Sequence, residues 1–296
     1  MAPQHHPPQR VRGPWRRCAR GQLLPRGGGR VGGTAAVCDP PLAMASLRAL
    51  YSATAPGSPR AAVVTPEHYM GAAGELLALM CATCWAVTGV FRPGLVADNP
   101  LRDRLGYNTV CVGFDTQPAR ALALPFVTLI AFHNMRYCEL DTLRARLELV
   151  AGRSTRAKVR ATAWGNGLYF AGSAVLGLFL VVSPFEDLWV HFWSFMLVVV
   201  LRWFSVAANF YEGGGVATCT RAQLAFLASY TSCTALIPVL ATLDFAAYDS
   251  RVGGMQTPPV PALVLASLDY AWFVLTALTK EYLPAQPSIQ ATWELH

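Results

Sequence analysis

The sequence predicts an all-α, polytopic membrane protein with six transmembrane helices and a disordered, basic N-terminal extension. Two observations support this prediction. Between residues 70 and 279 the chain repeats a run of mostly apolar residues followed by a short polar break, and each run has about the 20 residues that a helix needs to cross a bilayer. In addition, 53% of the 296 residues are hydrophobic and only 14% are charged, whereas the helices of a soluble protein show a polar face at every turn.

The six apolar runs define a membrane domain that we place at residues 66–285. Residues 1–65 form an Arg/Pro/Gly-rich leader or targeting segment before it, and residues 286–296 form a short C-terminal tail. In chain order, the apolar runs are Met70–Phe91, Ala121–Cys138, Ala161–Ser183, Leu188–Tyr211, Ala222–Phe245 and Val260–Thr279.

The net charge of +7 is concentrated in the leader. Residues 1–60 contain nine arginines and one acidic residue, Asp39, whereas the remaining residues carry 15 basic and 16 acidic side chains. The membrane domain is therefore nearly neutral and gives no indication of a nucleic-acid partner. A leader with so little apolar content is expected to be disordered. It is a cytosolic tail, sequence upstream of a start at Met44, or a cleaved organelle transit peptide.

The distribution of basic residues predicts which side of the membrane each loop faces. The break between the second and third runs, Arg136–Arg160, holds seven basic and three acidic residues. The positive-inside rule places this break on the cytoplasmic side, or on the equivalent side of an organelle membrane. Six crossings then place both chain termini on that side, with a plasma membrane or endomembrane favoured. Within the break, Glu139–Val150 is predicted to continue the second span as a solvated helix.

Ionisable side chains within the apolar runs are the candidate site residues, because each costs at least about 2.5–3.5 kcal/mol to insert into hydrocarbon. Glu75 and Arg202 lie at similar depths, roughly 8–10 Å from the inner ends of their spans. They are predicted to form an inner-leaflet polar pair or to reach the lipid headgroups separately. Asp269 lies deep in the sixth span, where it either ties helices together or binds a cation, a proton or a lipid headgroup. Its predicted partners in the fifth span are Tyr230, Thr231, Ser232 and Thr234.

Sequence motifs give no indication of catalysis. The chain carries no phosphate-binding glycine loop, no zinc-protease motif and no nucleophile elbow. Cys81 and Cys84 have the spacing of a redox pair, but they lie within a span and lack the flanking pattern of a thioredoxin-like site. We therefore expect no catalytic residue, no cofactor and no metal. The expected partners are membrane lipids and other membrane proteins.

Several segments of the membrane domain carry a resemblance to a known family. They are Val110–Pro118, the Arg136-Tyr137 pair, Gly172–Pro184 followed by His191, and Ser232–Pro238. With these segments, residues 70–285 resemble the six-span damage-regulated autophagy modulators and the related GPI-lipid remodelling proteins. The resemblance implies a non-catalytic protein of the plasma membrane, Golgi or lysosome that influences lipid organisation, signalling or autophagy.

Two other functions remain open from the sequence. A small transporter or channel for ions, protons or lipids would use Asp269 and the face formed by residues 230–234. An accessory subunit of an organelle membrane complex would lose residues 1–60 on import. The first predicts flux that Asp269→Asn abolishes, and the second predicts a shortened mature N-terminus.

Overall fold

The computed structural model describes residues 44–52, 65–248 and 259–284. In these ranges the chain is helical and contains no β-strand, so the predicted all-α class is confirmed. The predictions for most of the leader and for the C-terminal tail, residues 286–296, concern residues outside these ranges.

The described chain contains six long helices, and each overlaps one predicted apolar run. These are α2 (Pro66–Phe91), α5 (Ala119–Val150), α6 (Arg156–Ala174), α8 (Leu188–Glu212), α9 (Arg221–Ala247) and α10 (Ala262–Ala277). The shorter helices are α1 (Ala45–Ser52), α3 (Pro93–Ala97), α4 (Pro100–Leu105), α7 (Leu178–Val181) and α11 (Thr279–Tyr282), with 3₁₀ turns at Val110–Phe114 and Val216–Thr218.

Four helical segments within the described ranges are long and apolar enough to cross a membrane. The helix α5 falls short because His133, Asn134 and Arg136 make its middle polar. The helix α10 has 16 residues, fewer than the about 20 that a straight crossing requires. Six spans therefore remain a prediction. The four candidate spans are Pro66–Phe91, Arg156–Val181 (α6 with α7), Leu188–Glu212 and Arg221–Ala247.

Polar side chains at the helix N-termini explain where two of these long helices begin. Asp187 accepts a hydrogen bond from the Val190 N–H group (3.0 Å) at the start of α8. Thr155 accepts one from the Lys158 N–H group (3.3 Å) at the start of α6. Such N-caps satisfy backbone donors that have no partner within the helix. Asp187 is the last residue of the short break between the third and fourth apolar runs, so α8 begins where the apolar pattern predicts.

The six long helices pack side by side in a closed ring. The order around the ring is α2, α5, α6, α8, α9 and α10, and α10 packs back against α2. Apolar side chains such as Met80, Val199 and Leu265 are buried within it. Large apolar side chains, among them Trp164 and Val239, also cover its outer surface. A helix that is apolar on all sides is typical of a lipid environment.

The helix α5 continues to Val150, which confirms the predicted helical extension over Glu139–Val150. This extension is not solvated on all sides, however. Asp141, Arg144 and Glu148 are buried, because α5 packs against α6 along this part of the chain. The charged residues of the inner loop therefore belong partly to the interior of the protein.

Part of the predicted leader is folded, since α1 packs against α2. The Glu75 carboxylate accepts hydrogen bonds from the N–H groups of Ser46 (2.8 Å) and Leu47 (2.9 Å) in the first turn of α1. These N–H groups have no partner within their own helix. Ala45–Ser52, which lies within the predicted disordered leader, is therefore helical, and the Glu75 carboxylate of α2 accepts hydrogen bonds from its first turn.

A substitution at Gly165 tests the close packing of α6 against α8. A Cβ atom at Gly165 would lie 2.6 Å from the carbonyl oxygen of Phe204, whereas one at Gly167 would meet nothing within 4 Å. We expect Gly165→Val to lower the free energy of unfolding by about 1–3 kcal/mol, because the two backbones must separate. Gly167→Val is the matched control. Unfolding temperatures in detergent measure the effect, and equal temperatures for the two variants would contradict this packing.

Candidate functional site

A buried cluster of charged side chains joins α5 to α8 near the inner loop. The Arg144 guanidinium donates two hydrogen bonds to Asp141 Oδ1 (2.9 and 2.6 Å) and a parallel pair to the two carboxylate oxygens of Glu212 (3.0 and 2.8 Å). All three residues are at most 8% exposed. Bidentate ion pairs are strong and directional, so this contact fixes α5 against α8.

Neutral side chains extend this contact to α6. Thr162 donates a hydrogen bond to Glu212 (2.8 Å), Asn166 donates one to Asp141 (2.8 Å), and Ser205 donates one to the amide oxygen of Asn166 (2.6 Å). These three residues, with Arg144 and its two carboxylates, form what we call the Arg144 cluster. Its members bind one another, which is typical of a structural contact between helices.

The Arg144 cluster is not predicted from the sequence. Arg144 lies in the basic break Arg136–Arg160, where it is expected to be one of the cations of a solvated loop. The available signal is the three-residue spacing of Asp141 and Arg144, which places both on one face of a helix. Nothing in that spacing indicates Glu212, which lies on another helix.

A second buried guanidinium belongs to Arg202 on α8, which is 4% exposed. It donates hydrogen bonds to the Tyr169 hydroxyl (3.0 Å), the Thr276 carbonyl oxygen (3.2 Å) and the Thr279 hydroxyl (3.1 Å). All three acceptors are neutral, and Arg202 Nε has no hydrogen-bond partner. Within the described ranges, no carboxylate forms an ion pair with Arg202. Neutral hydrogen-bond acceptors and the Tyr169 ring, whose centroid lies 5.4 Å from Arg202 Cζ, therefore stabilise its charge.

A small cavity of about 40 Å³, which we call the Arg202 cavity, adjoins this guanidinium. Asn134, Tyr169, Trp272 and Thr276 are among the residues that line it. The atoms Asn134 Oδ1, Trp272 Nε1 and Thr276 Oγ1 have no hydrogen-bond partner. Buried polar atoms without a hydrogen bond of full geometry are unusual, and these three belong to residues that line one cavity. The Tyr230 hydroxyl interacts with Trp272 and Thr276.

A larger apolar groove lies at the surface of the ring between α2 and α10, with a volume of about 530 Å³. We call it the α2–α10 groove. Leu77 and Phe273 line both this groove and the Arg202 cavity, so these two side chains stand between the two spaces. The full lining of the groove is Leu77, Ala78, Cys81, Ala82, Trp85, Val110, Tyr270, Phe273, Val274, Ala277 and Leu278.

Asp269 is buried, but its partners belong to the loop that follows α4 rather than to α9. The Tyr107 hydroxyl and the Val110 N–H group both donate to Asp269 Oδ2 at 3.4 Å. The adjacent Tyr270 hydroxyl donates to the carbonyl oxygen of Asn108 (2.7 Å). Asp269 and Tyr270 together therefore hold this loop against α10.

The predicted grouping of Asp269 with polar residues of α9 is not formed. Trp272, one turn further along α10, stacks on Tyr230 with the ring centroids 6.3 Å apart. Trp272, rather than Asp269, therefore contacts Tyr230 of α9. Of the four predicted partners, Tyr230 and Thr234 are buried, Thr231 accepts a hydrogen bond from Trp203 (2.9 Å), and Ser232 is exposed.

The predicted pair of Glu75 and Arg202 is not formed either. Glu75 binds the first turn of α1, while Arg202 binds Tyr169 on α6 and the end of α10. Similar depth in a membrane does not determine which way a helix face points. The backbone donors of α1 offer Glu75 charge-assisted hydrogen bonds, and the sequence does not reveal that α1 lies beside α2.

A further buried contact, not indicated by the sequence, joins Asp115 and His191. Asp115 Oδ1 lies 3.6 Å from His191 Nε2, and neither atom has a hydrogen-bond partner. Burial raises the pKa of the Asp115 carboxyl well above its ordinary value, and the positive charge of Arg120 opposes this shift. Burial therefore favours the neutral form of this carboxyl.

Replacement of Arg144 tests whether the Arg144 cluster is structural. We expect Arg144→Met to lower the free energy of unfolding by about 3–5 kcal/mol, because two buried carboxylates lose their cation. Arg136→Met, which removes the exposed ion pair with Glu139 on the same helix, is the control and should cost less than about 1 kcal/mol. Unfolding in detergent measures both, and equal losses would contradict a structural role for this cluster.

Replacement of Asp269 tests whether it anchors the loop. We expect Asp269→Ala to increase hydrogen–deuterium exchange of residues 106–114 by about tenfold or more, because the loop loses two hydrogen bonds. The control is Ser267→Ala, since the Ser267 hydroxyl donates to Leu263 of its own helix. Unchanged exchange in Asp269→Ala would show that Asp269 does not hold this loop.

The described residues contain no group of three or more His, Cys, Asp and Glu side chains that could hold a metal ion. No protein-family model matches the chain, and neither a curated protein nor a solved structure matches it. The resemblance to the autophagy modulators and GPI-lipid remodelling proteins thus stays a prediction.

Proposed function

We propose that this chain is a non-catalytic, six-span integral membrane protein that influences lipid organisation by holding a lipid acyl chain in the α2–α10 groove. The observation that carries the proposal is the groove itself. It has a volume of about 530 Å³ and an almost entirely apolar lining. Pockets that bind small molecules typically measure about 300–1,000 Å³, so its size suits a lipid chain.

The packing of the long helices supports six crossings. The helix α10 lies between α9 and α2, and α5 lies between α2 and α6. These three neighbours, α2, α6 and α9, all contribute to candidate spans, so α5 and α10 each lie between two helices that are long and apolar enough to cross a membrane. The helix α11 (Thr279–Tyr282) also continues the helical path of α10 toward the length that a crossing requires. With six crossings, both termini lie on the side of the basic inner loop, which we place in the cytoplasm.

The position of the groove supports a lipid occupant. It lies between α2, a candidate span, and α10, on the surface that would face the bilayer. If the groove is empty, its lining atoms have no dispersion contacts on that side. An acyl chain of the bilayer would supply these contacts and stabilise the protein. The Trp85 indole donates a hydrogen bond to the carbonyl oxygen of Val110 (3.0 Å), which fixes the ring as one wall.

The interior contacts and the resemblance support a non-catalytic role. The charged residues of the Arg144 cluster bind one another, so they stabilise the helix ring. The resemblance to the autophagy modulators implies a role in signalling or autophagy at the plasma membrane or an endomembrane.

A lipid transporter is the second candidate, because Leu77 and Phe273 line both the groove and the Arg202 cavity. Ion or proton transport through Asp269 has less support, since this side chain binds Tyr107 and Val110 of the loop. An accessory subunit of an organelle membrane complex depends on residues 1–60, most of which lie outside the described ranges.

Filling the groove tests the proposed function. Ala82 lines the groove, whereas Ala86, one turn further along α2, is exposed outside it. We expect Ala82→Phe to reduce crosslinking of a phospholipid with a photoreactive acyl chain to α2 and α10 by about tenfold, which corresponds to roughly 1.4 kcal/mol of lost contact. Ala86→Phe is the matched control. Mass spectrometry of the labelled peptides measures the yield, and equal yields for both variants would contradict lipid binding in this groove.

A further inference from the structure

We propose that the Arg202 cavity binds the carboxylate of a long-chain fatty acid whose acyl chain lies in the α2–α10 groove. This inference rests on the proposed function, since it names the class of lipid that the groove takes. It is drawn from the charge of Arg202, the donors around the cavity, the size of the cavity and its position beside the groove.

The charge of Arg202 indicates an anionic ligand. The side chain is 4% exposed, and the three groups that accept its hydrogen bonds are neutral oxygens of Tyr169, Thr276 and Thr279. A buried cation in a membrane protein is costly unless an anion or a set of hydrogen bonds compensates it. No carboxylate of the described residues is paired with this guanidinium. An external carboxylate would supply the missing negative charge.

The polar atoms around the cavity are suited to a carboxylate. Arg202 Nε, Trp272 Nε1 and the Thr276 hydroxyl form no hydrogen bond of full geometry. The Tyr230 hydroxyl, which does not line the cavity, lies near all three residues and interacts with them. A carboxylate accepts up to about four hydrogen bonds through its two oxygens. A carboxylate in the cavity would bind the guanidinium and would compete with the neutral Tyr230 hydroxyl for these donors on α8 and α10.

The volume of the cavity limits the size of the charged group. A buried water needs about 10–15 Å³ of such a cavity, so about 40 Å³ holds roughly three small heavy atoms. A carboxylate has this size, whereas the phosphodiester headgroup of a phospholipid is larger. The cavity therefore favours a fatty acid over a phospholipid.

The shared lining of the two spaces indicates how one molecule could occupy both. Leu77 and Phe273 border the cavity and the groove, and both are only partly buried. Thr276 lies on α10 between two groove residues, Phe273 and Ala277. A carboxylate at Arg202 would thus connect past Leu77 and Phe273 to an acyl chain that extends along the groove toward Trp85.

A binding experiment with palmitate and its uncharged methyl ester tests the inference on the purified full chain. We expect the unmodified chain to bind palmitate at least about tenfold more tightly than the ester, because the ester cannot form a charge-assisted pair with Arg202. Arg202→Gln should bind the two ligands equally. Lys280→Gln, which removes a cation that binds Ser46, is the control and should keep the preference for palmitate.

The outcomes separate this inference from the proposed function. Equal binding of palmitate and ester to the unmodified chain would overturn the carboxylate site, while the proposed function would stand if Ala82→Phe weakens both ligands. If neither ligand binds, the carboxylate site is overturned and the phospholipid crosslinking decides the proposed function. If both bind but Ala82→Phe weakens neither, the proposed function fails as well. Acetate that displaces palmitate at equal concentration would show that the cavity takes free small carboxylates, which would overturn the assignment to a fatty acid.

A second measurement uses the unmodified chain and does not depend on the folding of a variant. Palmitate with a photoreactive group next to its carboxylate should label peptides that contain Arg202 or Thr276. Palmitate with the group at its methyl end should label peptides that contain Trp85 or Val110. The reverse pattern, or one pattern for both probes, would overturn the proposed orientation.

Discussion

Hydrocarbon offers no hydrogen-bond partner to a polar group, and this constraint determines how the chain arranges its charges. The helices of the ring place large apolar side chains on their outer surface. Polar residues within the apolar runs turn inward, as where Asn209 on α8 donates a hydrogen bond to the Tyr137 hydroxyl on α5 (2.6 Å). The same constraint explains Glu75, whose carboxylate lies within a long apolar helix and binds the free backbone donors of α1.

Arg202 satisfies this constraint only in part, and that makes its surroundings the best candidate for a binding site. Its acceptors are neutral, and Trp272 and Thr276, whose side chains form no hydrogen bond of full geometry, line the same cavity. Polar groups that break a local rule of packing are expected at functional positions. The apolar groove on the other side of Leu77 and Phe273 gives this site an amphipathic character that matches a fatty acid.

The sequence predicts where the helices lie but not which way their faces point. Hydropathy predicts the positions of all six long helices, because a run of about twenty mostly apolar residues fits a membrane-spanning helix and few other structures. The partners of Asp269 and Arg202 depend on helix rotation, and apolar residues around the whole helix leave no periodic signal for it. Arg144 is missed for another reason, since a charged stretch after an apolar run has the composition of a solvated loop. The folded α1 is missed because its stabilising acceptor, Glu75, lies on another helix.

Side-specific labelling of single cysteines, in a chain otherwise free of cysteine, tests most directly whether the ring crosses a bilayer. Ala151→Cys and Val216→Cys probe the turns after α5 and α8, and Asp98→Cys and Phe185→Cys probe the turns after α3 and α7. With six crossings, a membrane-impermeant reagent should label the first two positions from one side of sealed vesicles and the last two from the other. Labelling of Ala151→Cys and Phe185→Cys from the same side would contradict the account.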